Sequence, residues 1–463
     1  MNTQRPIQSL NPATEEILAT FDYSSPAEVE KILAAARDAF GPWRRTFISD
    51  RARLMRAAAS CLRERQSRLA QIITAEMGKP LREAEAEVAK CAWTCEFFAE
   101  HGQYFLGDRF IKSQASQSYI QFTPLGTILA IMPWNYPLWQ VIRFAAPALM
   151  AGNTAILKPA LNVPQCALAT EEIFRDSGFP EGVFRTVFVS EPNAMLLIKD
   201  PRIAAVTLTG SDGAGSQVAA VAGQMIKKTV LELGGSDPFI VLADADLDTA
   251  VETGMRARFQ NAGQSCVAAK RFLIVETVYD EFQQRFVAAV EHLRVGDPND
   301  RDTDVGPLAR ADLREHLEQQ VLQSVAQGAQ LVVGGKRPQS RGYFFAPTVL
   351  NNVGPQAPAF HEEVFGPVAS LIKVRDVDEA VALANQSPYG LGASLWTTDL
   401  SLARGLAREI EAGQIFINGR VASDPRLPFG GIKRSGYGRE LSDYGIQEFT
   451  NIQTVWIGPE EGE

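Results

Sequence analysis

From about residue 119 onward, short apolar runs alternate with longer stretches of helical period, and this alternation limits the fold more than any other feature. Strands are predicted over 126–132, 154–157, 183–189, 205–208 and 228–233. Helices are predicted from the first strand to 150 and over 164–176. Such alternation builds parallel sheet with right-handed crossovers, and ligands gather beyond the carboxyl ends of the strands. After Gly235 a second series begins. Its predicted strands are 239–242, 271–275, 394–396 and 414–417, and its helices 247–260, 278–293, 309–327, 377–385 and 400–409. A chain of 463 residues is too long for one ordinary core, so two α/β units are expected.

The N-terminal third is predicted helical. Ser25-Pro26-Ala27-Glu28 is a capping box with proline in the first helical turn. It opens a helix to about residue 40 with Val29, Ile32, Leu33 and Ala36 on one stripe. A second helix is expected over 50–77 and a third to about 104. The tail 449–457 is an extended run with no later partner, so it must pair elsewhere, either with 119–123 or across a subunit interface.

The formal charge of -9 argues against nucleic acid as the main partner. No charge-free apolar run reaches the ~20 residues of a membrane span, and the first residues lack a signal-peptide core. Five cysteines, few and odd in number, fit a reducing cytosol rather than a disulfide framework. Cys91 and Cys95 have helical spacing but no histidine nearby, so buried small side chains are expected and no metal.

Candidate chemistry centres on Asn261-Ala262-Gly263-Gln264-Ser265-Cys266, a cysteine at the end of a glycine-containing loop. A thiolate nucleophile needs a cation, a base or a helix end to form. Upstream, Leu231-Glu232-Leu233-Gly234-Gly235 offers a carboxylate at a strand end. Alone, Cys266 is as well explained as a buried small residue, and Glu232 as a salt-bridge partner. Asn135, in Pro133-Trp134-Asn135-Tyr136-Pro137, can stabilise an oxyanion or simply end a strand. Gly210-Ser211-Asp212-Gly213-Ala214-Gly215 opens a helix and suits a phosphate, though it is not a G-x-G-x-x-G and an ordinary turn explains it equally well. Lys158 closes a strand. Glu362-Glu363-Val364-Phe365-Gly366-Pro367 and Pro428-Phe429-Gly430-Gly431 have loop character.

Taken together and in this order, these motifs resemble the aldehyde dehydrogenase superfamily from about Asn11 to Trp456. The resemblance implies a Rossmann-like cofactor domain (1–112 and 125–232), an α/β catalytic domain (233–436) and a small β oligomerisation element (113–124 and 437–463). It implies that Cys266 attacks an aldehyde, that Asn135 and the Cys266 N–H hold the oxyanion, and that Glu232 activates water against the thioester. Lys158 and Glu363 match residues at the cofactor riboses. Phe365 and Trp134 match residues near the nicotinamide, and Gly210 and Ser211 match the pyrophosphate seat. The cofactor is NAD or NADP. Leu161 stands where many NAD-preferring relatives carry a glutamate, which tolerates a 2′-phosphate, and the glycine-proline near the adenine is altered to Ser190-Glu191-Pro192.

Among these enzymes the chain looks most like the short succinate-semialdehyde dehydrogenases. Arg143 matches an arginine that binds the substrate carboxylate there. Gln260 replaces a second arginine, so one cationic anchor is either missing or supplied by Arg420, Arg258 or Arg426, with Ser423 as a hydrogen-bond donor to the same carboxylate. Selectivity is expected to be looser in consequence, extending to glutarate semialdehyde or neutral aldehydes. Ala268 removes a second cysteine, so no redox disulfide with Cys266 is expected. A homodimer or homotetramer in the cytoplasm, acting on a small aldehyde, is expected. The other readings are a cysteine-dependent esterase, a non-catalytic cofactor-binding protein and a coenzyme A-acylating enzyme. The intact set of Cys266, Glu232 and Asn135 weighs against the last two.

Overall fold

The computed structural model describes residues 5–338 and 341–458; the outermost ends of the expected cofactor domain and oligomerisation element lie outside them. A hairpin of Ile7–Leu10 and Ile17–Phe21 leads into the helices. Ser25 caps the first helix, Pro26–Arg45, with Glu28 Oε2 accepting from the Ser25 N–H at 2.7 Å. This helix runs past the predicted end and through Pro42, because Trp43 beyond it is fully buried against Phe179. The run predicted as one helix over 50–77 is two, Ile48–Glu64 and Gln66–Met77. Arg65 leaves helical geometry between them, and its guanidinium pairs with Asp176. The long helix Leu81–Phe105 follows.

The first sheet has six strands in the order Gly436–Tyr437, Lys228–Glu232, Ile203–Thr209, Thr127–Met132, Thr154–Pro159 and Phe184–Thr186. All pairs are parallel except that of Gly436–Tyr437 with Lys228–Glu232. The chain builds outward from Thr127–Met132 to one side, then returns to its other side at Ile203–Thr209. A crevice opens at such a reversal, beyond the carboxyl ends of the strands. The loops leaving those two strands are the ones that carry Trp134-Asn135 and Gly210-Ser211. The strand predicted over 183–189 is only Phe184–Thr186. Phe188 has left the sheet to exchange hydrogen bonds with Ser24.

The second sheet has seven strands, ordered Gln330–Val333, Thr348–Asn351, Val368–Val374, Ala269–Val275, Asp237–Val241, Gly392–Trp396 and Gln414–Ile417. Only its first pair is antiparallel. Gln330–Val333, Thr348–Asn351 and Val368–Val374 were not anticipated. The first two are four residues each, too short to show a period, and the third begins directly after Pro367. A separate three-stranded sheet pairs Thr450–Ile457 antiparallel with Gln117–Pro124, and Arg109–Phe110 flanks it. The tail therefore finds the expected partner within its own chain. Ile452, Trp456 and Ile457 remain exposed on it. No helix among the described residues is long and apolar enough to cross a membrane.

Candidate active site

The cysteine loop is an unusual piece of backbone. Asn261, Ala262 and Gly263 all take left-handed geometry, with φ of 57°, 51° and 71°. For Asn261 and Ala262 this costs roughly 1–2 kcal/mol each, so the surroundings must hold it. The Asn261 amide donates to Asn135 O at 2.9 Å and Gln264 O at 3.0 Å, and its N–H donates to Glu83 Oε2 at 2.7 Å. Fully buried Arg258 donates to Gly263 O at 2.7 Å, Gly366 O at 2.6 Å and Ala269 O at 3.2 Å. Lys270, four residues past the cysteine, donates to Ser265 O at 2.8 Å and Cys266 O at 2.6 Å. It also lies 3.3 Å from Glu363 Oε1. The loop thus turns sharply and delivers Cys266, half-buried, between the two sheets.

Cys266 lines two cavities at once, and Gln140 is the other side chain common to both. Burial pushes its thiol up to about 12, against the opposing pull of Arg143 and Lys270. Asn135 is buried, and its Nδ2 donates to Gln264 O at 3.1 Å, leaving one amide hydrogen over. Glu232 ends its strand 2% exposed, with neither carboxylate oxygen hydrogen-bonded among the described residues. Burial holds its carboxyl well above the usual range, with Arg143 opposing and Glu440 reinforcing. The glycines of the Leu231–Gly235 motif have a steric reason. A β-carbon on Gly234 would collide with the Glu363 carboxylate, and one on Gly235 would stand 2.7 Å from Cys266 O.

The second cavity runs from Cys266 along the crevice of the first sheet. Trp134, Asn135, Gly210, Ser211, Glu363 and Phe365 line it. Trp134 and Phe365 meet edge to face, with centroids 5.7 Å apart. Glu363 Oε1 accepts from the Gly235 N–H at 3.0 Å. Ser211 caps the helix Asp212–Gln224, whose positive end opens on the cavity. A β-carbon on Gly213 would meet nothing within 4 Å, so a phosphate can approach the backbone there. Lys158, the last residue but one of the strand Thr154–Pro159, is not among the residues that line this cavity. It is buried and makes no salt bridge among the described residues. These are the features a dinucleotide requires. Among the described residues no three His, Cys, Asp or Glu side chains cluster as metal ligands would.

The first cavity lies on the other side of Cys266. Arg143, Gln260 and Ser423 all line it, together with Arg420, Lys90 and Trp139. Arg143 is buried in the helix Trp139–Met150, but Glu440 already balances its charge. Its Nη2 donates to Thr209 Oγ1 at 3.3 Å, and the guanidinium lies over the Phe429 ring at 4.5 Å. Of the three cations considered for the vacancy at Gln260, only Arg420 reaches the cavity, where it donates to the Gln260 side chain. Arg258 faces the loop carbonyls, and Arg426 pairs with Asp424 over the Trp93 ring. Sequence reasoning missed Lys90, Lys270, Glu440 and Gln140. The spacing of Glu83, Glu87 and Lys90 on one helical face was the available signal for the first.

A family model described as the aldehyde dehydrogenase family matches residues 1–455. The chain is 50% identical to a protein of Mycobacterium tuberculosis named succinate-semialdehyde dehydrogenase (NADP(+)) 1, over 98% of this chain and 100% of that one. It is also 50% identical to an Escherichia coli protein named succinate semialdehyde dehydrogenase (NAD(P)+), over 97% of each chain. Among solved structures it is similar to the succinic semialdehyde dehydrogenase of Streptococcus pyogenes in complex with NADP+. There the TM-score is 0.96 at 36% identity, covering 98% of this chain and 100% of that one.

Proposed function

The chain belongs to the aldehyde dehydrogenase family, and from that premise we propose that it oxidises succinate semialdehyde to succinate with NADP+ as hydride acceptor. The observation that carries this reading is the position of Cys266 at the junction of two cavities, one suited to a dinucleotide and the other walled by cations.

Cys266 gives its proton to solvent, and the thiolate bonds the aldehyde carbon as the carbonyl electron pair moves to oxygen. The spare Asn135 amide hydrogen and the Cys266 backbone N–H receive the charge that develops on the carbonyl oxygen, which makes hydride departure favourable. Bound along the second cavity, the nicotinamide cofactor supplies the acceptor for that hydride. Cys266 is then a thioester, and Glu232 takes the proton of the water that hydrolyses it. A carboxyl held above its usual range by burial is a stronger base toward that water than an ordinary carboxylate. Trp134 and Phe365 would flank the nicotinamide end. Lys158 and Glu363 would bind ribose hydroxyls, and Gly210 and Ser211 the pyrophosphate. Leu161 brings no carboxylate against a 2′-phosphate, and the relatives named for NADP(+) or NAD(P)+ support the same choice. Gln260 and Ser423 bound the far part of the substrate cavity, and Arg143, its charge balanced by Glu440, forms part of its wall.

Residues 1–112 with 125–232 then form the cofactor unit, and 233–436 the unit that presents the nucleophile. Residues 113–124 with 437–463 form the oligomerisation element of a homodimer or homotetramer, its exposed Ile452, Trp456 and Ile457 meeting a second copy. Five free cysteines suit a cytoplasmic enzyme. The test is a panel of succinate semialdehyde, glutarate semialdehyde and butanal against NADP+ and NAD+. We expect kcat/KM for succinate semialdehyde to exceed that for butanal by at least about tenfold, as one charge-assisted contact implies, with NADP+ preferred. Equal values for the charged and neutral aldehydes would remove the substrate assignment.

A further inference from the structure

We propose that Lys90 is the residue that receives the distal carboxylate of the substrate and so sets the preference for charged aldehydes, an inference that rests on the functional reading above. The helix Leu81–Phe105 presents Glu83, Glu87 and Lys90 to the cavity at i, i+4 and i+7, one face of a single helix. The two carboxylates on that face are already engaged. Glu83 accepts the Asn261 N–H. Glu87 accepts the N–H groups of Leu138 and Trp139 at 3.0 Å each and pairs with Lys79.

Lys90 differs. Its Nζ donates to Ser423 Oγ at 2.7 Å and stands 4.3 Å from the centroid of the Trp139 ring. It makes no salt bridge among the described residues, and an ammonium has two further hydrogens to give. The other cations of the cavity are worse placed for a first contact. Glu440 balances Arg143, and Arg420 is exposed, with one nitrogen on the Gln260 amide. Burial, with Arg143 and Arg420 adding to it, holds Lys90 down to about 8. At neutral pH it is therefore still mostly charged. Glu83 and Glu87 line the same cavity but are turned to the Asn261 N–H and to Lys79, so the Lys90 ammonium has no carboxylate within salt-bridge distance among the described residues. A carboxylate arriving beside Lys90 and Ser423 supplies a counter-ion, while Cys266 waits in the same cavity. Gln260, uncharged, leaves this work to Lys90 in the same cavity.

The experiment measures KM and kcat of the whole enzyme and of Lys90→Met with succinate semialdehyde and with butanal, at saturating NADP+. We expect the substitution to raise KM for succinate semialdehyde by about 10- to 100-fold, the loss of one charge-assisted contact, and to move KM for butanal by less than about twofold. Lys90→Arg should restore part of the difference. Lys90→Gln, which keeps a donor toward Ser423 without the charge, gives the same readout should the methionine variant not fold. A parallel change for both aldehydes overturns the assignment of Lys90 while leaving the substrate reading intact. A wild-type enzyme that does not distinguish the two aldehydes overturns both.

Discussion

A thiol held near 12 carries almost no thiolate at neutral pH, so Cys266 at rest is protected and must be activated when the site fills. The sign of the pH dependence follows. In the proposed mechanism Cys266 and Glu232 both act deprotonated, and burial holds both above their usual values, so reactivity is expected to climb as pH rises. For the resting enzyme we expect alkylation of the Cys266 peptide by iodoacetamide to rise about tenfold per pH unit between about pH 7 and 9. A plateau near ~8.5, where an ordinary thiol is half ionised, would contradict the buried setting. Residue types and loops were legible in the sequence here, because Cys266, Glu232 and Asn135 stand in distinctive short motifs. Partners were not. The ion pair of Arg143 with Glu440 joins residues 297 apart in sequence (440 less 143) and leaves no local pattern.

At the scale of elements, the left-handed turn at Asn261, Ala262 and Gly263 is what aims the cysteine, and Arg258 is its clamp. Arg258→Met leaves four backbone carbonyls, those of Gly263, Val364, Gly366 and Ala269, without that donor. We expect a loss of about 2–4 kcal/mol in urea unfolding, with turnover on butanal falling because Cys266 is no longer held in place. Unchanged stability and turnover would show that the turn holds itself. The sequence suggested Arg258 as a stand-in for the cation absent at Gln260, since a lone arginine near a site looks like a ligand. The helix Leu247–Phe259 instead turns it inward to the loop. The strand Val368–Val374 escaped notice for a related reason: it sits mid-sheet, pairing with Ala269–Val275 and Thr348–Asn351, and burial on both faces erases the alternation that marks a strand.

Across the whole molecule, the order of strands in the first sheet opens a crevice at Met132 and Thr209, and the second sheet carries the cysteine loop at the start of Ala269–Val275. Neither sheet holds a complete site. Glu232 and Asn135 come from the first, Cys266 and Glu363 from the second, and Lys270 ties Cys266 to Glu363. The alternation in the sequence revealed two sheets. Their relative placement depended on long-range packing that no window of residues records. In the proposed reaction these groups form a thioester on Cys266 and Glu232 releases it. Glu232→Gln tests this most directly, because the neutral amide suits a site that already disfavours a charged carboxylate. On mixing with succinate semialdehyde and NADP+, that variant should give one equivalent of reduced cofactor per active site and then nearly stop. After acid quench, the Cys266 peptide should carry one succinyl group. Continued turnover at the wild-type rate, or a peptide that is never acylated, would contradict the account.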